Sequence, residues 1–300
     1  VKSPFPIVMP DPTKRFAATA ARLDRLAACH PMEPWLRFVA RLNRAQHAVA
    51  TALAPAAILD PDDVARAVEA RLPPLAADGH HRSPLWREAL AELLASLSDP
   101  QEPDLPPATL TAIDNLRHST PEALETLANN FLRGHIPAAD TGATVFIVAA
   151  LQVYFTGSAA RLAASDLRLL EERALCPCCG SPSVAGVITA TGIIPGTRYL
   201  YCSMCSTAWN HTRAVCVTCT HTQHLSLQGI EGDNDVVKAE TCADCHTYSK
   251  LLYQLHDTQV DPYADDLASF GLDLMVSEEG FARHAPNPLL LTGDSEDDIG

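Results

Sequence analysis

The chain has 300 residues, 47% of them apolar and 19% charged, with a formal net charge of −14. That length allows about two domains. No apolar run reaches membrane-spanning length, since the longest, Val145–Phe155, is interrupted by Gln152; Val1–Arg15 carries neither an apolar signal core nor a twin-arginine pair. The sequence therefore reads as a soluble, cytoplasmic protein with no membrane insertion. Residues 261–300 hold ten acids against one base, and residues 176–260 hold six against four without a basic patch. Nucleic-acid binders displace phosphate counterions with Lys and Arg, so nucleic acid is disfavoured as a partner.

The first half predicts helices. Lys14–His30 is rich in alanine and arginine and ends at Pro31 and Pro34. Trp35, Phe38, Val39, Leu42, Val49 and Leu53 then recur at helical spacing. Asp60-Pro61-Asp62-Asp63 is a start signal, with an N-cap, a proline in the first turn and acids facing the helix dipole. Val64, Val68 and Leu72 are its expected buried face, stopped by Pro73-Pro74. Ser83-Pro84 opens another helix, with Trp86, Leu90, Leu93, Leu94 and Leu97 inward; Asp99–Pro107 reads as a loop and Ala108–His118 as a helix. Thr120-Pro121-Glu122 starts one more, with Gly134 as its stop. Asp140–Leu170 is apolar and helical in pattern, with Gly157 as a possible break. About seven helices result.

No glycine-rich phosphate loop, Gly-x-Ser-x-Gly elbow or His-Glu-x-x-His motif occurs in this half. His80-His81 reads as a solvated turn. The chain is not expected to be an enzyme.

Nine of the ten cysteines lie between Cys176 and Cys245, eight of them as Cys-x-x-Cys pairs: Cys176/Cys179, Cys202/Cys205, Cys216/Cys219 and Cys242/Cys245. The first and second pairs are 22 residues apart, as are the third and fourth, and one 40-residue offset superposes the two sets. A Cys-x-x-Cys loop turns two sulfurs to one ion, and two loops complete a tetrahedral thiolate site. The spacing thus predicts two four-cysteine sites in a tandem repeat, although nesting the first pair with the fourth would also give two. Four sulfurs suit zinc and iron alike. Cys178 is a spare thiol, read as a small apolar side chain with reactivity as the alternative. His211, His221, His224 and His246 are substitute ligands at most.

Val184–Ile188, Arg198–Tyr201, His224–Leu227 and Val236–Glu240 read as short strands, making each repeat a ribbon-like unit whose metal supplies folding energy. Trp209 is expected to cover the first site or to pack between the repeats, most simply as a hydrophobic contact, with partner binding as the alternative. Arg213, in the connector, is expected to tie the repeats together or to meet a partner carboxylate. Beyond Cys245 the spacing of Tyr248, Leu251, Leu252 and Leu255 predicts a helix, and Asp265–Glu279 another; the acidic run Asp294–Asp298 reads as a solvated tail.

The expected architecture is α+β: a helical domain over 1–172, four-cysteine modules over 173–212 and 213–255, and a C-terminal helix with an acidic tail over 256–300. Two metal sites without catalytic groups, basic surface or anchor point to a protein-binding module. Electron transfer through iron–thiolate centres and a zinc-ribbon nucleic-acid binder are the alternatives.

The motifs resemble those of the formate dehydrogenase accessory protein family, FdhE. The resemblance rests on Cys176-Pro-Cys-Cys-Gly180, Arg198-Tyr-Leu-Tyr-Cys-Ser-Met-Cys205 with Trp209, and Arg213-Ala-Val-Cys-Val-Thr-Cys219. Lys238-Ala-Glu-Thr-Cys-Ala-Asp-Cys245, Asp265-Asp-Leu-Ala-Ser269 and Asn287-Pro288 extend it. It implies two rubredoxin-like modules binding iron (ferric or ferrous) or zinc through the eight paired cysteines. It also implies a chaperone acting in the cytoplasm on the catalytic subunit of a molybdenum-containing respiratory formate dehydrogenase, before export. One departure stands out: only Cys179 is followed by the glycine usual in rubredoxin knuckles, with Ser206, Thr220 and His246 in the other three places.

Overall fold

Asp11 begins the first helix as the sequence dictates: its carboxylate accepts the Thr13 N–H at 3.0 Å while Pro12 fills the position that needs no donor. A computed structural model describes residues 2–57, 59–98, 105–232 and 234–290; the acidic run Asp294–Asp298 and most of the loop expected over Asp99–Pro107 lie outside these residues. Among the described residues the helical half has seven α-helices: α1 (Pro12–Ala27), α2 (Glu33–Ala52), α3 (Pro61–Glu69), α4 (Leu85–Leu97), α5 (Pro107–His118), α6 (Pro121–Leu132) and α7 (Thr141–Ala159). Asp60 caps α3 through the Asp62 N–H at 2.8 Å, and Thr120 caps α6 through the Ala123 N–H at 3.3 Å.

Leu72 is not on the buried face of α3. That helix stops at Glu69, Arg71 takes a left-handed φ of 56°, and Leu72 is left 60% exposed. Gly157 does not break α7 either. The helix runs through it because a Cβ there would sit 2.4 Å from the Pro55 carbonyl oxygen, so the missing side chain admits a neighbouring loop. Ala138–Ala159 is in fact long and apolar enough to cross a membrane, contrary to the expectation from the interrupted run, yet 83% of its most apolar window is buried inside the protein. It is the central core helix: Gln152 accepts from Gln46 Nε2 at 3.1 Å and donates to the Ser203 carbonyl at 2.9 Å, so its polar group is satisfied.

The strand-rich half is a single sheet. Its strands are β1 (Ile7–Val8), β2 (Ser183–Ile188), β3 (Arg198–Cys202), β4 (Ala208–His211), β5 (Leu225–Gln228), β6 (Val237–Cys242), β7 (Thr247–Tyr253) and β8 (Ala282–Arg283). The order is β1-β4-β3-β2-β7-β6-β5, with β8 added beside β7. Each repeat contributes three antiparallel strands, β2-β3-β4 and β5-β6-β7. A parallel pairing of β2 with β7 joins them, Gly186 opposite Leu251 and Ile188 opposite Tyr253.

The helix expected over Tyr248–Leu255 is therefore a correction: residues 247–253 form β7. Tyr248, Leu251 and Leu252 mimic helical spacing because an interior strand is buried on both faces and loses its alternation. The C-terminal helix is divided into α8 (Ala264–Ala268) and α9 (Phe270–Glu278), because Ser269 leaves helical geometry at ψ 27° and its hydroxyl caps the Asp265 carbonyl at 2.7 Å.

The first repeat is built into the helical core, to which the second contributes Val217. Phe16, Leu36, Trp86 and Phe155 share one buried cluster with Cys176, Cys179, Cys202, Cys205 and Trp209. The second repeat packs Val237, Ala239, Tyr248 and Leu252 against Leu272 and Val276 of α9.

Candidate metal centres

Each site is assembled from two hairpin-like turns. Cys176 and Cys179 precede β2, and Cys202 and Cys205 lie at the turn between β3 and β4; Cys216/Cys219 and Cys242/Cys245 repeat this around β5, β6 and β7. The sulfurs of each set lie within 4.8 Å of one another, so the pairing is sequential and not nested. Sγ–Sγ distances are 3.5 Å for Cys176–Cys205 and 3.4 Å for Cys179–Cys202, against 3.7 Å for both Cys216–Cys245 and Cys219–Cys242. A tetrahedron of thiolates at zinc–sulfur bond length has edges of about 3.8 Å. The donor sets fit a four-coordinate ion, and the geometry favours neither zinc nor iron.

The four knuckles share one backbone solution. The residues after the second cysteine of each pair, Gly180, Ser206, Thr220 and His246, have φ of 75°, 61°, 62° and 54°. Three side-chain-bearing residues thus accept the left-handed conformation that glycine adopts without penalty. In the first site the turns aim N–H groups at sulfur: Cys178 N–H to Cys176 Sγ at 3.4 Å, and Cys205 N–H to Cys202 Sγ at 3.3 Å. The repeat also duplicates a hydroxyl that the sequence reading missed. Thr207 Oγ1 lies 3.2 Å from Cys205 Sγ, positioned to donate to a thiolate, and Thr247 Oγ1 lies 3.1 Å from Cys245 Sγ and 2.8 Å from Thr218 Oγ1. The same 40-residue offset that aligns the cysteines aligns these threonines and could have revealed them.

The two sites differ in exposure. Cys176, Cys202 and Cys205 are fully buried and Cys179 is 1% exposed, whereas Cys219 and Cys245 of the second site are only partly buried. Burial pushes the Cys176 and Cys202 thiols well up from their ordinary values, so their ionised forms need a bound cation. At Cys245 burial also acts upward, but the hydroxyl and N–H of Thr247 outweigh it and bring the thiol down to about 7.

The other expected residues fall in different places. Cys178 is fully buried beside the first site, outside its ligand set. Its carbonyl accepts the Leu75 N–H at 3.0 Å and that of Cys179 accepts the Ala77 N–H at 2.9 Å, docking the knuckle on the loop after α3. Trp209 is 1% exposed and donates from Nε1 to the Arg173 carbonyl at 2.9 Å, so it is a core contact over the first site and cannot meet a partner. Arg213 is exposed at the rim of a cleft between the repeats. His211 is buried, and desolvation first, then the Arg198 charge, depresses it to about 4. His221 and His224 are exposed and both bond Asp244, and His246 lies 6.2 Å from the Phe281 ring, so no histidine joins either ligand set.

A helical domain carrying two four-cysteine clusters in one sheet defines a class of candidate metal-binding protein. The family description FdhE, N-terminal, matches residues 4–172; FdhE, central domain, matches 175–213; and FdhE, C-terminal domain, matches 214–290. A Protein FdhE homolog of Pseudomonas aeruginosa is 37% identical over 93% of this chain and 90% of its own length. One of Stutzerimonas stutzeri is 35% identical over 94% and 91%. The crystal structure of the FdhE protein from Pseudomonas aeruginosa superposes with a TM-score of 0.84, covering 96% of this chain and 99% of that one. The chain belongs to the FdhE family of formate dehydrogenase accessory proteins.

Proposed function

We propose that the protein is a non-catalytic maturation chaperone. It binds the catalytic subunit of a molybdenum-containing respiratory formate dehydrogenase in the cytoplasm, before export, with an iron or zinc ion in each four-cysteine site. Family membership carries the formate dehydrogenase assignment. The supporting observation is the unequal placement of the two donor sets: one is sealed into the helical core, and the other is partly exposed at Cys219 and Cys245, with Cys216 and Cys242 buried. A buried thiolate site organises the fold around its ion, and a partly exposed one leaves part of its knuckles free for contact. The metals supply the charge that lets four thiolates share a small volume, and the residues around them hold the knuckles in place.

The test is complementation. A host lacking this protein should make the catalytic subunit in normal amount but with little formate dehydrogenase activity. The wild-type chain should restore activity, and the paired Cys216→Ser, Cys219→Ser variant should not, while accumulating to the same level. Full activity in the deleted host would sink the proposal.

A further inference from the structure

At an offset of 40 residues β2 corresponds to β5, and the two strands differ in what lies along the outer edge. The edge of β2 takes a parallel strand: Gly186, Val187 and Ile188 stand opposite Leu251, Leu252 and Tyr253 of β7. Their counterparts Ser226, Leu227 and Gln228 of β5 end the sheet, with no further strand on that edge among the described residues. Proteins blunt such an edge with a very short strand, proline, lysine or a bulge, and of these β5 has only shortness, at four residues. Leu225-Ser-Leu-Gln228 has no proline or lysine, its pairing with β6 runs without a register shift, and Leu227 is 53% exposed.

A cleft of about 210 Å³ runs from β5 across the face of the sheet towards β3, walled by Ile188, Leu225, Leu227, Leu251 and Tyr253. Arg198 and Arg213 also line it, against the single carboxylate of Glu240. Arg198 is 1% exposed and committed, donating to Glu240 at 2.8 Å and to the Ser249 hydroxyl at 3.3 Å. Arg213 is exposed and has no hydrogen bond or ion pair to another described residue, so in a chain of net charge −14 this rim keeps one uncompensated guanidinium. Guanidinium groups bind carboxylates in a planar, bidentate fashion.

We infer that the outer edge of β5 is a docking site for an extended, carboxylate-bearing segment of a partner protein. The segment adds as a strand, as β7 adds to β2, and places an Asp or Glu side chain against Arg213. Main-chain hydrogen bonds supply affinity and the alternate side chains supply selectivity, as in other strand-addition complexes. The inference rests on the partner-binding reading above and identifies the surface through which it acts.

The probe is an acetylated, amidated seven-residue peptide alternating valine with glutamate, and its glutamine counterpart, titrated into the ¹⁵N-labelled, metal-loaded full chain. The amide signals of Ser226–Gln228 should shift, and the glutamate peptide should bind about tenfold more tightly than the glutamine one, a gap that closes in Arg213→Gln and in high salt. Leu227→Asp, at an exposed position, should abolish binding while leaving the rest of the spectrum unchanged. Equal affinity for both peptides, or shifts elsewhere than β5, would overturn the inference. So would a wild-type dimer that Leu227→Asp converts to monomer, since that assigns the edge to a second copy of the chain. If the formate dehydrogenase subunit binds wild type and both variants equally, the docking site is wrong and the chaperone reading stands. If the peptide binds as expected and the subunit does not, the reverse holds.

Discussion

Arg15 Nε donates to Ser206 Oγ at 3.2 Å, linking the first turn of α1 to a knuckle nearly two hundred residues later in the chain. Ser206 also lies 3.1 Å from the Thr156 hydroxyl of α7. These contacts explain why a serine occupies a left-handed position where glycine is unstrained: its hydroxyl ties the first metal site to two helices.

The strain and the contacts can be separated by substitution. Thr220 has the same backbone conformation as Ser206, but it is exposed and its side chain makes no hydrogen bond to another described residue. Thr220→Gly should therefore stabilise the protein by roughly 0.5–1 kcal/mol, through relief of the left-handed penalty. Ser206→Gly should instead destabilise by about 1 kcal/mol, because it leaves the Arg15 Nε without that acceptor. Denaturant midpoints of the metal-loaded proteins check both signs.

Unequal burial predicts unequal metal retention. A chelator should remove the ion held by Cys216, Cys219, Cys242 and Cys245 first, at little cost in helical circular dichroism. The ion held by Cys176, Cys179, Cys202 and Cys205 should leave only as the helical core unfolds, since those cysteines share its hydrophobic cluster. Metal content measured alongside ellipticity during chelation checks the order; simultaneous loss would contradict it.

The glycine in α7 has a definite cost of replacement. Gly157→Ala places a Cβ against the Pro55 carbonyl oxygen, with which it would overlap. The expected loss is about 2–3 kcal/mol, in the range of overpacked core substitutions. A thermal unfolding midpoint several degrees lower would register it, and an unchanged midpoint would show that the 55–57 loop yields.

Much of this architecture was legible before any coordinates. Cap residues such as Asp60 and Thr120 marked helix starts because their chemistry is local, and the doubled cysteine spacing gave both ligand sets because ligand geometry dictates it. What escaped was non-local. The strand β7 has the apolar density of a helix because it lies inside the sheet, although its alignment with β4 through the 40-residue offset was available as a clue. Nothing local announces that Lys250 is fully buried, 2.5 Å from Asp273 and 2.8 Å from the Asp266 carbonyl, in a network that Arg283 completes. Trp209 allowed a partner contact as well as a core one, because sequence cannot tell a lid that faces inward from one that faces a partner.

Glu125 sets an acid limit on the helical domain. Burial acts to raise its carboxyl, but hydrogen bonds from Arg82 and Trp86 and the charges around it win, so its pKa is lowered from 4.5. Its contacts are Arg82 at 2.7 Å, Trp86 Nε1 at 2.8 Å and Arg87. A carboxylate depressed in the folded state adds stability that is full above 4.5 and lost as the pH falls through the lower folded value. Glu125→Gln should remove that dependence. At neutral pH it should cost about 2–4 kcal/mol, because Arg82, with a side chain only 5% exposed, loses its charged partner. Stability of both proteins measured between about pH 3 and pH 7 checks the sign.

On the proposed function, metallated ribbons on a helical base recognise the catalytic subunit of formate dehydrogenase. The most direct measurement is the affinity of the purified, metal-loaded chain for that purified subunit, alongside the Cys216→Ser, Cys219→Ser variant with its first site still filled. Saturable binding by wild type, weakened at least about tenfold in the variant, is the predicted result. No binding by either, or equal binding by both, would contradict the claim.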